Sequence, residues 1–282
     1  MNPKLIEILN NYSITKDSNR SIVKSLLNGC ITAKMYDEIE GDLMEDKINT
    51  VFQYLDESFV IIKEKLNIII ADRSSSLEYV KFLENKFEVT VHNFRELPTE
   101  VKIDLVLFTG GEDISPEFYN EKVGKYTSIN GYRDTIESEV YDYFYGKVLF
   151  LGICRGSQML TALSGGKLIQ HVEGHGRDHS IIINSTGSKY VMTSSHHQML
   201  FPFNLPKNDY ELIAHSEFFQ STTYLNGDNE EVDLPIDFLE PEIVYYKNTK
   251  ALCIQGHPEW SYCEKNTSMM CLNLISRYLK NK

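Results

Sequence analysis

Residues 148–166 read VLFLGICRGSQMLTALSGG. A continuous apolar run, Val148 to Ile153, enters the turn Gly152-Ile153-Cys154-Arg155-Gly156 and leaves it as a helix. Apolar residues on both faces mark a strand covered on both sides, as in a parallel sheet. A G-x-C-x-G turn between strand and helix has a specific use. The backbone there is strained and closely packed, so the neighbours must be small, and the central side chain projects above the sheet. The helix that follows turns its positive dipole end and unpaired amides toward the sulfur, favouring thiolate over a thiol of ordinary pKa, about 8.5. An ordinary buried cysteine at a strand end needs no glycine on either side. Cys154 is therefore expected to be a nucleophile.

Upstream of this turn, NIIIA (67–71), FEVTV (87–91) and IDLVLF (103–108) repeat the short apolar run, and SLEYVKFLENK (76–86) and DTIESEVYDYFYG (134–146) lie between them with helical character. Strands alternating with helices pair in parallel through βαβ crossovers. The expected fold is α/β, a doubly wound, mostly parallel sheet. Downstream, SIIIN (180–184), KYVMTS (189–194), EFFQSTT (217–223), EIVYY (242–246) and ALCIQG (251–256) predict an added antiparallel portion, closed by the helix SMMCLNLISRYLK (268–280). NGDNEEVDLPIDFLEPE (226–242) reads as a long acidic surface loop. Residues 1–65 differ. Ile6, Leu9, Ile22, Leu26 and Leu27, then Val51, Leu55 and Val60, have helical spacing. The expected organisation is a helical extension over 1–65 and a catalytic domain over 66–282. An apolar helical segment too small for a good core of its own would dock on the α/β domain or on another subunit, the second giving a homo-oligomer.

The chain of 282 residues carries 28 Lys and Arg against 40 Asp and Glu, a formal charge of -12 that repels phosphate backbones and anionic lipid surfaces. A nucleic-acid partner is not expected. Five cysteines, at 30, 154, 253, 263 and 271, make an odd count with no C-x-x-C pair, which suggests neither a disulfide framework nor a zinc knuckle and fits a reducing cytosol. Apart from Cys154 they read as packing residues. No positively charged leader precedes an apolar segment, and no run approaches the roughly 18 apolar residues of a membrane span. A cytoplasmic protein without a membrane segment is expected.

Near the C-terminus ALCIQGHPEW (251–260) ends a strand at His257-Pro258-Glu259. Residues two apart in extended backbone point to one side, so the Glu259 carboxylate can reach the imidazole. A carboxylate on one ring nitrogen fixes the tautomer and leaves the other free to take a proton from a thiol. The chain order Cys, His, Glu differs from the Ser, Asp, His order of α/β-hydrolases. His171, His175 and His179 are spaced by four, but the intervening glycines argue against a regular helix, so a polar loop is expected and no metal ligand is assigned. The Gly-Gly pairs at 110 and 165 fit neither a P-loop nor a dinucleotide fingerprint.

Several segments together resemble the class I glutamine amidotransferases and their γ-glutamyl hydrolase relatives. They are Thr109-Gly110-Gly111-Glu112-Asp113 with Pro116 and Tyr119, the GICRGSQ turn, Gly165-Gly166, Ser195-His196-His197-Gln198, and Gln255-Gly256-His257-Pro258-Glu259. TGGEDISPEFY, ICRGSQ and SSHHQ are most similar to the γ-glutamyl-γ-aminobutyrate hydrolase (peptidase C26) branch. The resemblance covers about residues 66–280. It implies a cysteine hydrolase acting on a γ-glutamyl amide with Cys154, His257 and Glu259 as catalytic residues. It also implies an oxyanion hole from the amides of Gly111 and Arg155, and a substrate cleft held or lined by Gln158, His196, His197 and Gln198. No metal or organic cofactor is implied. Arg155 either braces the cleft or contacts a substrate carboxylate. The family commonly has Phe before the catalytic His, where this chain has Gly256. Three functional outcomes stay open: a stand-alone hydrolase of a γ-glutamyl amine, a glutaminase that passes ammonia to a synthase partner, or a non-catalytic binding module of the same fold.

Overall fold

The structure, a computed structural model, describes residues 3–11, 23–24, 39, 44, 47–52, 63–72 and 77–280. The chain divides into two compact units, Met1–Glu64 and Lys65–Lys282. In the first, helix α1 (Pro3–Asn11) and the helical residues 47–52 contribute to an apolar cluster of Leu5, Leu9, Val23, Ile39, Ile48 and Val51. Leu5 and Leu9 lie one turn apart on a single helical face, as the apolar spacing requires. Buried Lys47 donates from Nζ to the Ile39 carbonyl at 2.7 Å. Ile22, Leu26, Leu27, Cys30, Leu55, Val60 and the side chain of Ile6 lie outside the described residues.

The second unit is built on a nine-stranded sheet. Its elements in chain order are β1 (Glu64–Ile70), α2 (Leu77–Glu84), β2 (Phe87–His92), β3 (Leu105–Phe108), α3 (Gly131–Phe144), β4 (Leu149–Ile153), α4 (Arg155–Leu163), β5 (Lys167–Ile169) and β6 (His171–Val172). There follow β7 (His179–Ile183), β8 (Lys189–Met192), β9 (Met199–Phe201), β10 (Tyr210–Ser216), β11 (Tyr224–Leu225), β12 (Pro241–Tyr246), β13 (Ala251–Ile254) and α5 (Lys265–Lys280). The sheet order is β2-β1-β3-β4-β13-β12-β10-β7-β8, with two short ribbons, β11-β6 and β5-β9, beside it. Strands β1, β3, β4 and β13 are parallel. From β13 through β12, β10 and β7 to β8 every pair is antiparallel. The added antiparallel portion is thus as large as the parallel one.

Apolar side chains alternate across the parallel strands and supply two cores. Leu105, Leu107, Leu149, Leu151, Ile153, Leu252 and Ile254 pack with α2 and α5 on one face, and Val106, Phe108, Phe150, Ala251 and Cys253 pack with α3 and α4 on the other. This is the α/β layering expected from the continuous apolar runs. Two expectations fail on the antiparallel side. Residues 217–223 form no strand: β10 stops at Ser216, and Phe218 and Phe219 are exposed. The strand there is instead YELIAHS, whose alternation a reading based on apolar runs passes over. The acidic stretch 226–242 is not all surface, since Phe238, Glu240 and Glu242 are buried where the chain enters β12. No helix among the described residues is long and apolar enough to cross a membrane.

Candidate active site

The register places Phe108 of β3 and Cys253 of β13 on either side of Gly152 in β4. The segments leaving those three strands, 109–113, 154–156 and 255–259, therefore meet at the carboxyl edge of the sheet, where open α/β sheets place their sites. Cys154 caps α4 with φ 51° and ψ −113°, a region costly for any residue with a Cβ, and its amide donates to the Ile254 carbonyl at 2.8 Å. The flanking glycines answer a packing demand. A Cβ at Gly152 would stand 2.5 Å from the Gly156 carbonyl oxygen, and one at Gly156 would stand 2.0 Å from that of Phe108.

His257 Nδ1 lies 2.8 Å from Glu259 Oε1, and both side chains are buried. Burial alone would lower the imidazole pKa, but hydrogen bonds to Cys154 and Glu259, together with their charges, outweigh it and push the pKa up to about 10. Trp260, the chain's single tryptophan, stacks on the ring at 3.9 Å with 6° between the planes, a cover suited to an imidazolium. A Cβ at Gly110 would lie 3.2 Å from His257 Cε1 and 3.6 Å from Cys154 Cβ, so the Gly110-Gly111 loop runs directly beside the thiol and the imidazole. Arg155, one residue after the thiol, contributes the first amide of α4. The chemistry available is proton exchange between a strained thiol and an imidazole held by a carboxylate, with backbone amides close by.

The Peptidase C26 family model matches residues 98–204, which include the glycine loop, the Cys154 turn and His196-His197-Gln198, and end before His257. The chain is 36% identical over 77 residues to a Schizosaccharomyces pombe protein named as a glutamine amidotransferase, a match covering 26% of this chain and 30% of that protein. It is 37% identical over 94 residues to a Rickettsia prowazekii protein named as glutamine amidotransferase-like, covering 32% of each. It thus spans about a third of the length of the curated relatives it matches. Among solved structures, a glutamine amidotransferase from Thermotoga maritima shares the fold, with a TM-score of 0.50 and 16% identity over 77% of this chain and 99% of that one. Residues 98–204 thus match the Peptidase C26 family, and the chain is similar in sequence to glutamine amidotransferase-like proteins. Its fold is that of the class I amidotransferase domain.

The remaining expected site residues divide. Gln158 is buried and donates from Nε2 to the Gln198 carbonyl at 3.2 Å, and Gln198 Nε2 donates to Thr127 Oγ1 at 3.1 Å. His197 is the more open of the two histidines, with its Nε2 3.2 Å from Asp113 Oδ1, a hydrogen bond that raises its pKa. His196 is turned inward, its ring centroid 4.6 Å from that of His175, and burial lowers its pKa to about 3. Arg155 is a brace and not a substrate contact: its guanidinium is wholly buried, 2.5 Å from Asp134 Oδ1 and paired with Glu137. At Gly256 the space of a side chain is already filled, since a Cβ would meet Met192 Cγ at 2.3 Å and Sδ at 2.6 Å. Buried Met192 takes the room that a residue before His257 would otherwise occupy.

Two important side chains were missed in the sequence. Arg133 donates to the carbonyls of Thr109 and Gly110, both at 3.0 Å, and pairs with Asp72 and Glu137. It sits where Gly111, at φ 149°, leaves no room for a Cβ. A signal existed: 133, 137, 140 and 144 form one helical stripe, and two charges on a stripe shared with Val140 and Phe144 must be buried and paired. Tyr79 is the other. Its hydroxyl accepts from the Gly110 amide at 2.9 Å, and burial together with the nearby Glu259 charge raises its pKa. One phenol thus holds the glycine loop near the carboxylate that holds His257. A neutral hydrogen bond contributes about 0.5–1.5 kcal/mol, so loosening the glycine loop in Tyr79→Phe should lower kcat by roughly 2- to 10-fold with KM little changed. Steady-state kinetics beside a melting curve tests this. An unchanged kcat in a variant that merely melts earlier would reduce Tyr79 to packing.

Proposed function

We propose that the chain hydrolyses a γ-glutamyl amide through a thioester on Cys154. The observation that carries this reading is Cys154 at a positive-φ strand-to-helix turn, with the Gly110 backbone close against both it and a His257 that Glu259 holds at 2.8 Å. In the proposed sequence His257 takes the thiol proton and the Cys154 sulfur attacks the γ-carbonyl carbon. The resulting oxyanion is held by the Gly111 and Arg155 amides, an arrangement that typically supplies about 2.7–4 kcal/mol per donor. His257 then returns its proton to the departing nitrogen as the C–N bond breaks, leaving a γ-glutamyl thioester. Water attacks that carbonyl with His257 as base, and glutamate leaves as the C–S bond breaks. Gln158 is assigned to the α-amino acid end of the substrate, and the 196–198 segment to the lining of its cleft.

Selectivity in this scheme lies beyond the scissile nitrogen, where a hydrolase needs room for an alkyl amine and an amidotransferase needs an exit for ammonia. In the second case a synthase subunit would accept the ammonia. The deciding experiment measures glutamate release from glutamine, γ-glutamyl-γ-aminobutyrate and γ-glutamyl-putrescine, with and without co-purified proteins. Slow but measurable glutamine hydrolysis by the isolated chain is expected. Faster turnover of the larger amides assigns a stand-alone hydrolase, and glutamine turnover that rises with a partner assigns an amidotransferase subunit. No glutamate from any of them under either condition overturns the reading and leaves a binding module.

A further inference from the structure

A second cluster of chemically capable side chains lies outside the Cys154 site. His179 at the start of β7 and Glu242 in β12 face one another across β10, whose Ser216 Oγ donates to Glu242 Oε1 at 3.2 Å. His175, on the segment leading into β7, completes the set, and all three residues are buried. One nitrogen of each imidazole and a carboxylate oxygen lie within 4.8 Å of one another. His179 Nε2 is 2.7 Å and His175 Nδ1 is 3.5 Å from the same Glu242 Oε1. As expected from the glycines, no helix spans residues 171–179, and 173–178 form the loop that joins β6 to β7. His171 stacks on Tyr126 and is not part of the set, while His175 and His179 converge without any helix because β12 brings the carboxylate to them.

From this convergence we infer a divalent transition-metal site of the Zn²⁺ class, with His175 Nδ1, His179 Nε2 and Glu242 as ligands. Three observations favour a metal over a simple ion-paired histidine cluster. His175 Nδ1, the nitrogen turned toward Glu242, completes no hydrogen bond although it is buried, and Glu242 Oε2 is also unpartnered. A protonated imidazole confined there would be expected to make that bond. The nitrogens turned away from the centre face acceptors that would orient them. His175 Nε2 is 3.3 Å from Glu240 Oε1, and His179 Nδ1 is 3.1 Å from the Arg177 carbonyl. That is the second layer metal-bound histidines use to fix ring and tautomer. Glu240 itself is held by the amides of Gln220 and Ser221 and the hydroxyl of Tyr224, so it is built to orient a ring. Two imidazoles and a carboxylate leave one tetrahedral position for water. The metal would pin β7 to β12 and, through the His196 ring against His175, steady the 196–198 segment.

The test uses the full chain, stripped with a chelator and titrated with Zn²⁺ alone. One equivalent is expected to bind and raise the melting temperature, with X-ray absorption showing nitrogen and oxygen scatterers at roughly 2.0–2.2 Å and no sulfur. His179→Ala and Glu242→Gln should each weaken binding at least 100-fold, and Cys154→Ala should bind as the wild type does. Should those variants fail to fold, Co²⁺ substitution in the wild-type chain gives the same information through its ligand-field bands. Substoichiometric uptake, sulfur in the absorption spectrum, or loss of binding in Cys154→Ala would each overturn the assignment.

Discussion

Cys154→Ala should lower glutamate release at least about 10⁴-fold, the scale on which removal of a nucleophile acts when its partners remain. The protein should stay folded, because only a sulfur is removed and the Cβ, the turn and the buried surroundings persist. The backbone sharpens this prediction. At φ 51° and ψ −113°, alanine is as strained as cysteine, so Ala relieves none of the roughly 1–3 kcal/mol held in such a conformation. Cys154→Gly should therefore be equally inactive yet melt higher than Cys154→Ala, a reversal of the usual cost of glycine. Equal melting temperatures would argue against strain at the turn. An electrophilic glutamine mimic should label the wild type at Cys154 first, since burial pushes the Cys253 and Cys271 thiols up and keeps them protonated at neutral pH. Alanine at Cys253, Cys263 or Cys271 should leave the chemistry intact and cost stability through cavities. Residual turnover above a hundredth in Cys154→Ala would move the nucleophile elsewhere.

The parallel half of the fold was legible because each of its strands is a short apolar run buried on both faces, and burial on both faces needs no knowledge of the partner. The Cys154 turn was legible for a similar reason: glycines at 152 and 156 record a backbone approach that any side chain would block. His257 and Glu259 could be paired because they are two residues apart. What stayed hidden depends on residues distant in the chain. Glu242 and His179 are 63 positions apart, and no local pattern marks their meeting. The acidic composition of 226–242 suggested solvent, yet Glu240 is held by backbone amides and Glu242 by histidines, partners that become available only when β10 and β12 pair. Arg155 illustrates the same limit. Its position beside the thiol left a brace and a substrate contact both open, because the acids that claim it lie on α3, about twenty residues earlier.

The charged network behind the thiol has a consequence for how the site is held. Arg133 and Arg155 reach from α3 and α4 and share Glu137, with Asp134 and Asp72 completing the set. Arg133 fixes the carbonyls of the glycine loop, and Arg155 provides the first amide of the helix that follows the thiol. Both amides assigned to the oxyanion are thereby carried on segments braced by one carboxylate. Buried ion pairs of this kind add little net stability over apolar packing, but removal of one partner costs about 3–5 kcal/mol because it strands a charge. Their use here is positional.

Glu259→Gln should lower kcat by roughly 10²- to 10⁴-fold while KM changes little, since the carboxylate touches the base and not the substrate. The amide keeps the shape but loses the charge, and it can present its NH₂ to His257 Nδ1, turning the proton to the wrong nitrogen. A pH profile separates this role from a structural one. With both Cys154 and Glu259 beside it, His257 titrates at about 10, well above its ordinary 6.5. Protonation of the departing nitrogen requires the imidazolium, so the alkaline limb of kcat/KM in the wild type should lie near that value. Removal of the Glu259 charge lowers the imidazole pKa, and the limb should move to lower pH. Stability follows the same sign. A histidine with a raised folded pKa contributes stability that is fully present below about 6.5 and is lost as the pH rises through the folded value. The difference in melting temperature between wild type and Glu259→Gln should therefore be largest in mild acid and shrink toward pH 10. A variant whose alkaline limb does not move, or whose stability deficit grows with pH, would show that Glu259 does not carry the charge that holds His257 protonated.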